Sequence, residues 1–325
     1  MATMVTSGVF ADVVNAAVRT HFDFTKDDIF NQIDGNELLT EFEPDAPNEQ
    51  VSGIAGAGYG TLTVEGQQYG SNELWREYPR AITLRKYTSE LRWTEEDIHW
   101  LQKANEQKRQ MQIDAIASNG LRPLIGNINR DVAKMFYLGN GTTFFTGGNS
   151  EALISASHTI RKTAATQTNV ITSNPVLSTD AVQTAVNQMN RFKGMNDVQL
   201  QKVRRLRLVV PVELEATALQ IKDSLYGPTN ANLGLQRSSE TFMAKRGIDF
   251  SVITLPEISS SYSAYWWLVD LDRAKSRFFL TWGWKPRLAN ETKVTNGTTA
   301  VDASAYFGPH ALGWQWIMQS TGAGS

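Results

Sequence analysis

The 325-residue chain carries 31 basic against 33 acidic residues, a formal net charge of -2, and so lacks the basic excess of a tight nucleic-acid binder. It has no cysteine, which excludes disulfides, thiolate metal sites and cysteine nucleophiles. Hydrophobic residues make up 41% and can fill a sizeable core, but no run of about 18 apolar residues is present to span a membrane.

Residues 1–50 read as an arm and not as a domain. Phe10, Val13, Val14, Ala17 and Val18 form one helical stripe. A second short helix is expected from Thr25, with Asp28 as its capping partner and Ile29, Phe30 and Ile33 as its apolar face. Helices this short are marginal in water, so their apolar sides need a partner surface. The stretch from Asp27 to Glu49 is strongly acidic, which suits a solvated face or a basic neighbour. Met1 to Phe10 lacks the basic region of a secretory signal.

In residues 51–80, Gly53, Gly56, Gly58, Gly60, Gly66 and Gly70 punctuate a run bearing Tyr59, Leu62, Val64, Tyr69, Leu74 and Trp75. Thr61-Leu-Thr-Val64 alternates at strand period and Glu65-Gly66 offers a turn, so a long two-stranded β loop projects from the body. Residues 82–87 and 91–93 bring the chain back as strands.

A long helix then opens with Thr94 as N-cap and Glu95, Glu96 and Asp97 at its positive end. Ile98, Leu101, Ala104, Met111 and Ala115 make a narrow stripe, broken by Lys108, on a helix otherwise polar nearly all round. Such a helix lies across a surface instead of through a core. Gly120 and Pro123 are expected to end or kink it. A second helical run, 125–138, stops at Gly139-Asn140-Gly141.

From Ser178 the pattern becomes compactly α/β. Val182, Ala185, Val186, Met189 and Phe192 make an amphipathic helix ending near Gly194. Leu206-Arg-Leu-Val-Val210 is a buried strand, Pro211 takes the first helical position, and Leu214, Ala218, Ile221 and Leu225 carry the next helix. Phe250-Ser-Val-Ile-Thr-Leu255, Tyr265-Trp-Trp-Leu-Val269 and Phe278-Phe-Leu-Thr-Trp282 are further strands, so residues 176–285 are expected to pack as an independent unit. The stretch from Lys293 to Thr321, which contains Gly308-Pro309, is expected to return and pack on the long helix.

No motif in the chain requires an enzyme. Gly56-Ala-Gly-Tyr-Gly60 is followed by strand-like sequence and by no GK[ST], so it reads as a loop and not a phosphate cradle. Ser155-Ala-Ser-His158 could offer Ser157 and His158 as nucleophile and base, but adjacent residues rarely reach triad geometry and no G-x-S-x-G elbow surrounds them. A turn with His158 bonded to backbone is the simpler expectation. His21, His99, His158 and His310 lack metal-ligand spacing. Arg204, Arg205 and Arg207 could touch phosphates, though basic residues flanking a buried strand more often pair with a neighbour's acids.

The order of these elements resembles the Hong Kong 97-type major capsid protein family of tailed phages. The resemblance rests on Lys86-Tyr-Thr-Ser-Glu-Leu-Arg-Trp-Thr-Glu-Glu-Asp97, Glu151-Ala-Leu-Ile-Ser-Ala-Ser-His158, Ser173-Asn174, Leu177-Ser178, Leu208-Val-Val-Pro-Val-Glu-Leu-Glu-Ala-Thr-Ala218 and Tyr306-Phe-Gly-Pro309. It implies an α+β fold with an N-terminal arm (1–50), an extended β loop with return strands (51–93) and a peripheral domain with a spine helix (94–175). An axial α/β domain (176–285) and a return to the peripheral domain (286–325) complete it.

The function so implied is a head protein, assembled in the host bacterial cytoplasm. It self-assembles through hexamers and pentamers into an icosahedral shell around double-stranded DNA, without enzymatic activity, metal or cofactor. Arm and loop would order on neighbouring subunits, placing Phe10, Val14, Phe30, Tyr59, Leu62, Val64, Tyr69 and Trp75 at inter-subunit contacts. Lys103, Lys108 and Arg109 are the candidate DNA-facing residues. The expected partners are further copies, a separate scaffolding protein, a portal, weakly held DNA and a decoration protein, with no membrane. Some relatives weld the shell by a Lys–Asn bond from the β loop; residues 51–80 contain no lysine, so no bond of that type is expected. A same-fold nanocompartment shell, a tail, neck or decoration protein, and a serine hydrolase using Ser157 and His158 remain the alternatives.

Overall fold

The computed structural model describes residues 29–45, 50–51, 54–56, 75–77, 79–142, 151–224, 246–288, 292–294 and 298–324, and builds two principal sheets over one hydrophobic core. The chain enters through two 3-10 turns, Ile29–Gln32 and Asn36–Leu38, joined at Gly35, whose left-handed φ of 73° suits a residue without Cβ. Ile29, Ile33, Leu38 and Leu39 are buried in the chain's own core. The apolar face expected to wait for a neighbour is therefore covered from within in its described part, and a tight turn stands there in place of an α-helix. Asp34 fixes it by accepting from Asn129 Nδ2 at 2.9 Å, while its own N–H donates to Asn129 Oδ1 at 3.1 Å.

Strand β1 (Thr40–Phe42) follows. Next come β2 (Gln50–Val51), β3 (Ile54–Gly56), β4 (Trp75–Arg76) and β5 (Arg80–Ala81). β2 pairs antiparallel with β5, and β3 with β4, so two nested ladders form the base of the expected β loop. β6 (Arg85–Thr94) is one ten-residue strand where two shorter ones were expected.

Helix α1 (Glu95–Lys103) starts with a capping box: Thr94 Oγ1 accepts from the Asp97 N–H at 3.2 Å, and the Asp97 carboxylate accepts from the Thr94 N–H at 2.9 Å. It stops at extended Ala104, and Asn105 opens the 32-residue α2 (Glu106–Tyr137) by accepting from the Lys108 N–H at 2.9 Å. The break lies at 104–105 and not at Gly120 or Pro123, both of which lie inside α2. Asn105 is a strong N-cap, whereas Pro123 is exposed, where water can serve the carbonyl its ring leaves unbonded. Leu121, Leu124, Ile128, Val132, Met135 and Phe136 are buried along the second half of α2.

β7 (His158–Thr159) and β8 (Thr166–Gln167) form a short hairpin. Helix α3 (Thr179–Met189) buries Ala181, Val182, Ala185, Val186 and Met189, the stripe legible in the sequence. β9 (Arg205–Val210) leads through the 3-10 turn Val212–Leu214 into α4 (Glu215–Ser224). Pro211, expected at the first helical position, sits outside it with an extended ψ of 167°. β10 (Asp249–Thr254), β11 (Trp266–Asp270), α5 (Leu271–Ala274), β12 (Phe278–Leu288), β13 (Thr292–Val294), β14 (Thr298–Ala311) and β15 (Ile317–Ser320) complete the order.

One sheet runs β10-β9-β11-β15; the other runs β1-β12-β14-β13, with β6 also paired to β14. β12, grouped in the sequence with residues 176–285, thus pairs with β14 and β1, whereas β15, from the last segment, joins β11. β14 packs on α2, as expected of the returning segment. Phe136 near the end of α2 touches Trp267 at 5.8 Å, Phe278 at 6.0 Å and Trp316 at 6.4 Å between ring centroids, wedging the helix between the sheets.

Candidate functional site

The Ser157–His158 pair does not form a nucleophile and base. His158 is 1% exposed and directs Nε2 at Asn169 Oδ1, 3.0 Å away, and Nδ1 at Glu151 Oε2, 3.3 Å away. Both ring nitrogens are engaged away from Ser157, whose exposed backbone turns on the Ser155 hydroxyl at 3.1 Å. The expected partner was backbone; it is two side chains. Burial pushes the imidazole pKa down, and Asn169 and Glu151 offset this only in part. The group is a packed tie that holds the segment from Glu151 to Asn169 together.

The three arginines by β9 divide. Arg205 pairs with Asp272, while Arg207 reaches Glu37 at 2.9 Å and Asp249 at 3.0 Å, so acids of the same chain hold two of them. Arg204, exposed like Arg205, is the one of the three that forms no ion pair among the described residues. Sequence spacing could not separate them, because Glu37 lies 170 residues from Arg207.

At the base of the β loop a buried ionic group ties loop to body. Arg277 Nη1 lies 2.5 Å from Glu77 Oε1 and donates to Gln315 Oε1 at 2.8 Å, while Arg80 Nη1 donates to the Ala311 carbonyl at 3.3 Å. Glu77 is 3% and Arg80 8% exposed, and desolvation lowers the Arg80 pKa to about 10. Nothing in the local sequence marks Glu77 or Arg80, since burial of a charge is decided by distant partners.

Of the expected contact residues, Phe10, Val14, Tyr59, Leu62, Val64 and Tyr69 lie outside the described residues, and Trp75 is described only as backbone in β4. Phe30 packs half-buried against this chain's own core. Lys103 is exposed with its ammonium 5.5 Å from the Trp100 ring centroid, and Lys108 is exposed; the Arg109 side chain lies outside the described residues. Trp100 and Met111, exposed by 65% and 66%, are large apolar groups on the polar helical stretch. Among the described residues no acidic or histidine cluster is placed to hold a metal, and no helix is long and apolar enough to cross a membrane.

The mixed architecture is that of Hong Kong 97-type capsids. The capsid of a native GTA particle covers 87% of this chain and 87% of its own, with TM-score 0.50 and 11% identity. The capsid of an empty GTA particle covers 87% of each, with TM-score 0.51 and 10% identity. A chain of Microbacterium phage Oxtober96 covers 87% of this chain and 88% of its own, with TM-score 0.47 and 11% identity. No curated protein sequence matches significantly. Residues 77–317 match the model of a phage capsid protein family, and the chain belongs to that family. It is a structural protein of the phage capsid.

Proposed function

We propose that copies of this chain assemble through hexamers and pentamers into a closed icosahedral shell that encloses double-stranded DNA. The family match over 77–317, three quarters of the chain, is the observation that carries this reading. The paired base of the β loop supports it: β2–β5 and β3–β4 form a narrow two-stranded ladder leaving the body. Isolated two-stranded ladders are marginal in water, so such a loop gains by lying on a neighbour. In this reading Phe10, Val14, Phe30, Tyr59, Leu62, Val64, Tyr69 and Trp75 contribute to subunit contacts. Lys103, Lys108 and Arg109 face the genome, and the net charge of -2 suits a container that encloses DNA without gripping it. The division into arm, β loop, peripheral and axial parts belongs to the same proposal, as do a separate scaffolding protein, a portal, a decoration protein and assembly in the host bacterial cytoplasm.

Negative-stain electron microscopy and sedimentation of the purified chain, with and without co-expressed phage head proteins, test it. Closed shells or six- and five-membered rings are expected. A chain that stays monomeric in both settings would overturn the reading.

A further inference from the structure

The β10-β9-β11-β15 sheet has two ends of opposite charge. β9 and β10 run parallel from Arg205 and Asp249 to Val210 and Thr254, a length of about 20 Å for six residues. Arg191, Lys202, Arg204 and Lys222 are exposed at the end where these strands start. Arg204 directly precedes β9, and the Val203 N–H donates to Asn190 Oδ1 at 2.9 Å, which brings the end of α3 and Arg191 to the same place. Lys222 arrives there because α4, the crossover between parallel strands, runs back along the sheet. Among the described side chains the acids at this end are already paired: Asp249 with Arg207, Asp272 with Arg205 and Asp197 with Lys193.

The opposite end reverses the pattern. Asp180, Glu213 and Glu257 are exposed and pair with no base among the described residues. The flanking stretches 172–184, 211–221 and 255–264 contain no lysine or arginine. Two apolar side chains stand out of this end, Val176 at 61% and Val212 at 52% exposure. Both belong to it: Trp266, first residue of β11, donates Nε1–H to the Pro175 carbonyl at 3.0 Å, and Val212 follows β9 by one residue beyond Pro211. Exposed apolar groups ringed by charge of one sign fit a partner bearing the other sign, and this chain carries that sign at the far end of the same sheet.

Resting on the shell reading above, we infer that this sheet makes a head-to-tail contact between neighbouring copies, the Asp180–Glu213–Glu257 end of one against the Arg191–Lys202–Arg204–Lys222 end of the next. Two different patches that fit one another, instead of one patch that fits itself, make a heterologous contact, the kind that builds rings when its rotation closes. Because the Debye length at physiological salt is about 8 Å, the ends act on one another only when they meet, and raising salt weakens the contact.

Charge reversal tests it. E213K/E257K carries basic residues at both ends, and K202E/R204E acidic residues at both ends. All four positions are exposed, so melting temperatures should match the unsubstituted chain and report on folding. Each variant alone is expected to lose ring or shell formation at least tenfold. Their mixture should associate at low salt in sedimentation velocity, and the fourfold variant should regain assembly. In the mixture, alternating copies close rings of six but not of five, so fewer closed shells than from the fourfold variant are expected. Failure of the two variants to associate with one another overturns the contact, whatever the unsubstituted chain does. Failure of the unsubstituted chain to form rings or shells overturns the shell reading instead.

Discussion

His158 lies flat on Trp314, with ring centroids 4.4 Å apart and planes 6° from parallel. Phe192 meets the same indole edge-on at 5.0 Å. The imidazole therefore joins the β7–β8 hairpin to the turn after β14, while Asn169, which donates to the Leu153 carbonyl at 2.9 Å, secures the other side. Removing the ring opens a cavity and takes away one polar contact each from Asn169, which still accepts from the Ser155 N–H at 2.9 Å, and Glu151, which still accepts from the Thr159 hydroxyl at 2.8 Å. His158→Ala is expected to cost about 3 kcal/mol, read as a drop in melting temperature. A cost below about 1 kcal/mol would mean the stack contributes little.

His310 predicts an acid-sensitive window. Its Nε2 is buried without a hydrogen-bond partner, and burial followed by the nearby Arg80 charge lowers its pKa from 6.5 to about 4. The folded chain thus binds this proton less readily than the unfolded chain. The neutral ring's contribution is complete above pH 6.5 and is lost as pH falls toward 4, to a total on the order of 3 kcal/mol. His158, also lowered, acts in the same direction. Thermal melts from pH 7 to pH 4 should show stability falling, and His310→Gln should flatten the fall. Parallel curves for both proteins would exclude His310 as a source.

The helix break at 104–105 sets apart two substitutions of opposite sign. Asn105→Ala removes the cap of α2 and is expected to cost about 1 kcal/mol. Pro123→Ala restores a backbone donor inside α2 at an exposed position and is expected to stabilise by up to about 3 kcal/mol. Denaturant titrations measure both. A destabilised Pro123→Ala would show that the proline ring supports packing instead of interrupting a hydrogen bond.

Gly308 in β14 lets the strand pass against the backbone at Thr83. A Cβ at 308 would overlap the Thr83 carbonyl oxygen, an obstacle made of main chain that no rotamer change relieves. Gly308→Ala is expected to cost about 2 kcal/mol and to lower the yield of folded protein, measured by chemical denaturation. Gly126→Ala, inside α2 and with an added Cβ that meets nothing within 4 Å, serves as the comparison and is expected to stabilise by up to about 1 kcal/mol.

Elements whose pattern is local were legible before the fold was known. The α3 stripe from Val182 to Met189 and the buried Leu206–Val210 run declare their faces through 3.6-residue spacing and unbroken apolarity. Thr94 stands as the N-cap read from the sequence, and Asp97, read only as a charge at the helix's positive end, closes a capping box with it. What stayed hidden depends on partners far along the chain. Glu77 and Arg277, or Arg207 and Glu37, carry no mark of their pairing, and Phe278 reads as a strand without saying which sheet it joins. The helix break was misplaced because Gly120 and Pro123 are strong breakers in isolation, whereas packing of Leu121, Leu124 and Ile128 holds α2 continuous across them. The acidic and basic ends of the β10-β9-β11-β15 sheet were present as residues but became a pattern only when parallel pairing aligned them.

The pairing of β1 with residues 279–281 also bears on synthesis. Thr40 donates its hydroxyl to the Lys275 carbonyl, 235 residues downstream. At ribosomal speeds of about 5–20 residues per second, β1 and the adjoining core leucines Leu38 and Leu39 leave the ribosome ~10–50 s before the strand that pairs with β1 exists. β11 likewise waits for Ile317–Ser320 before its outer edge is sealed. A prematurely terminated chain therefore keeps two unsealed edges and exposed leucines, features that chaperones and proteases recognise. Translation itself then acts as an inspection step, and only copies finished past the last strand reach the pool from which a shell can draw.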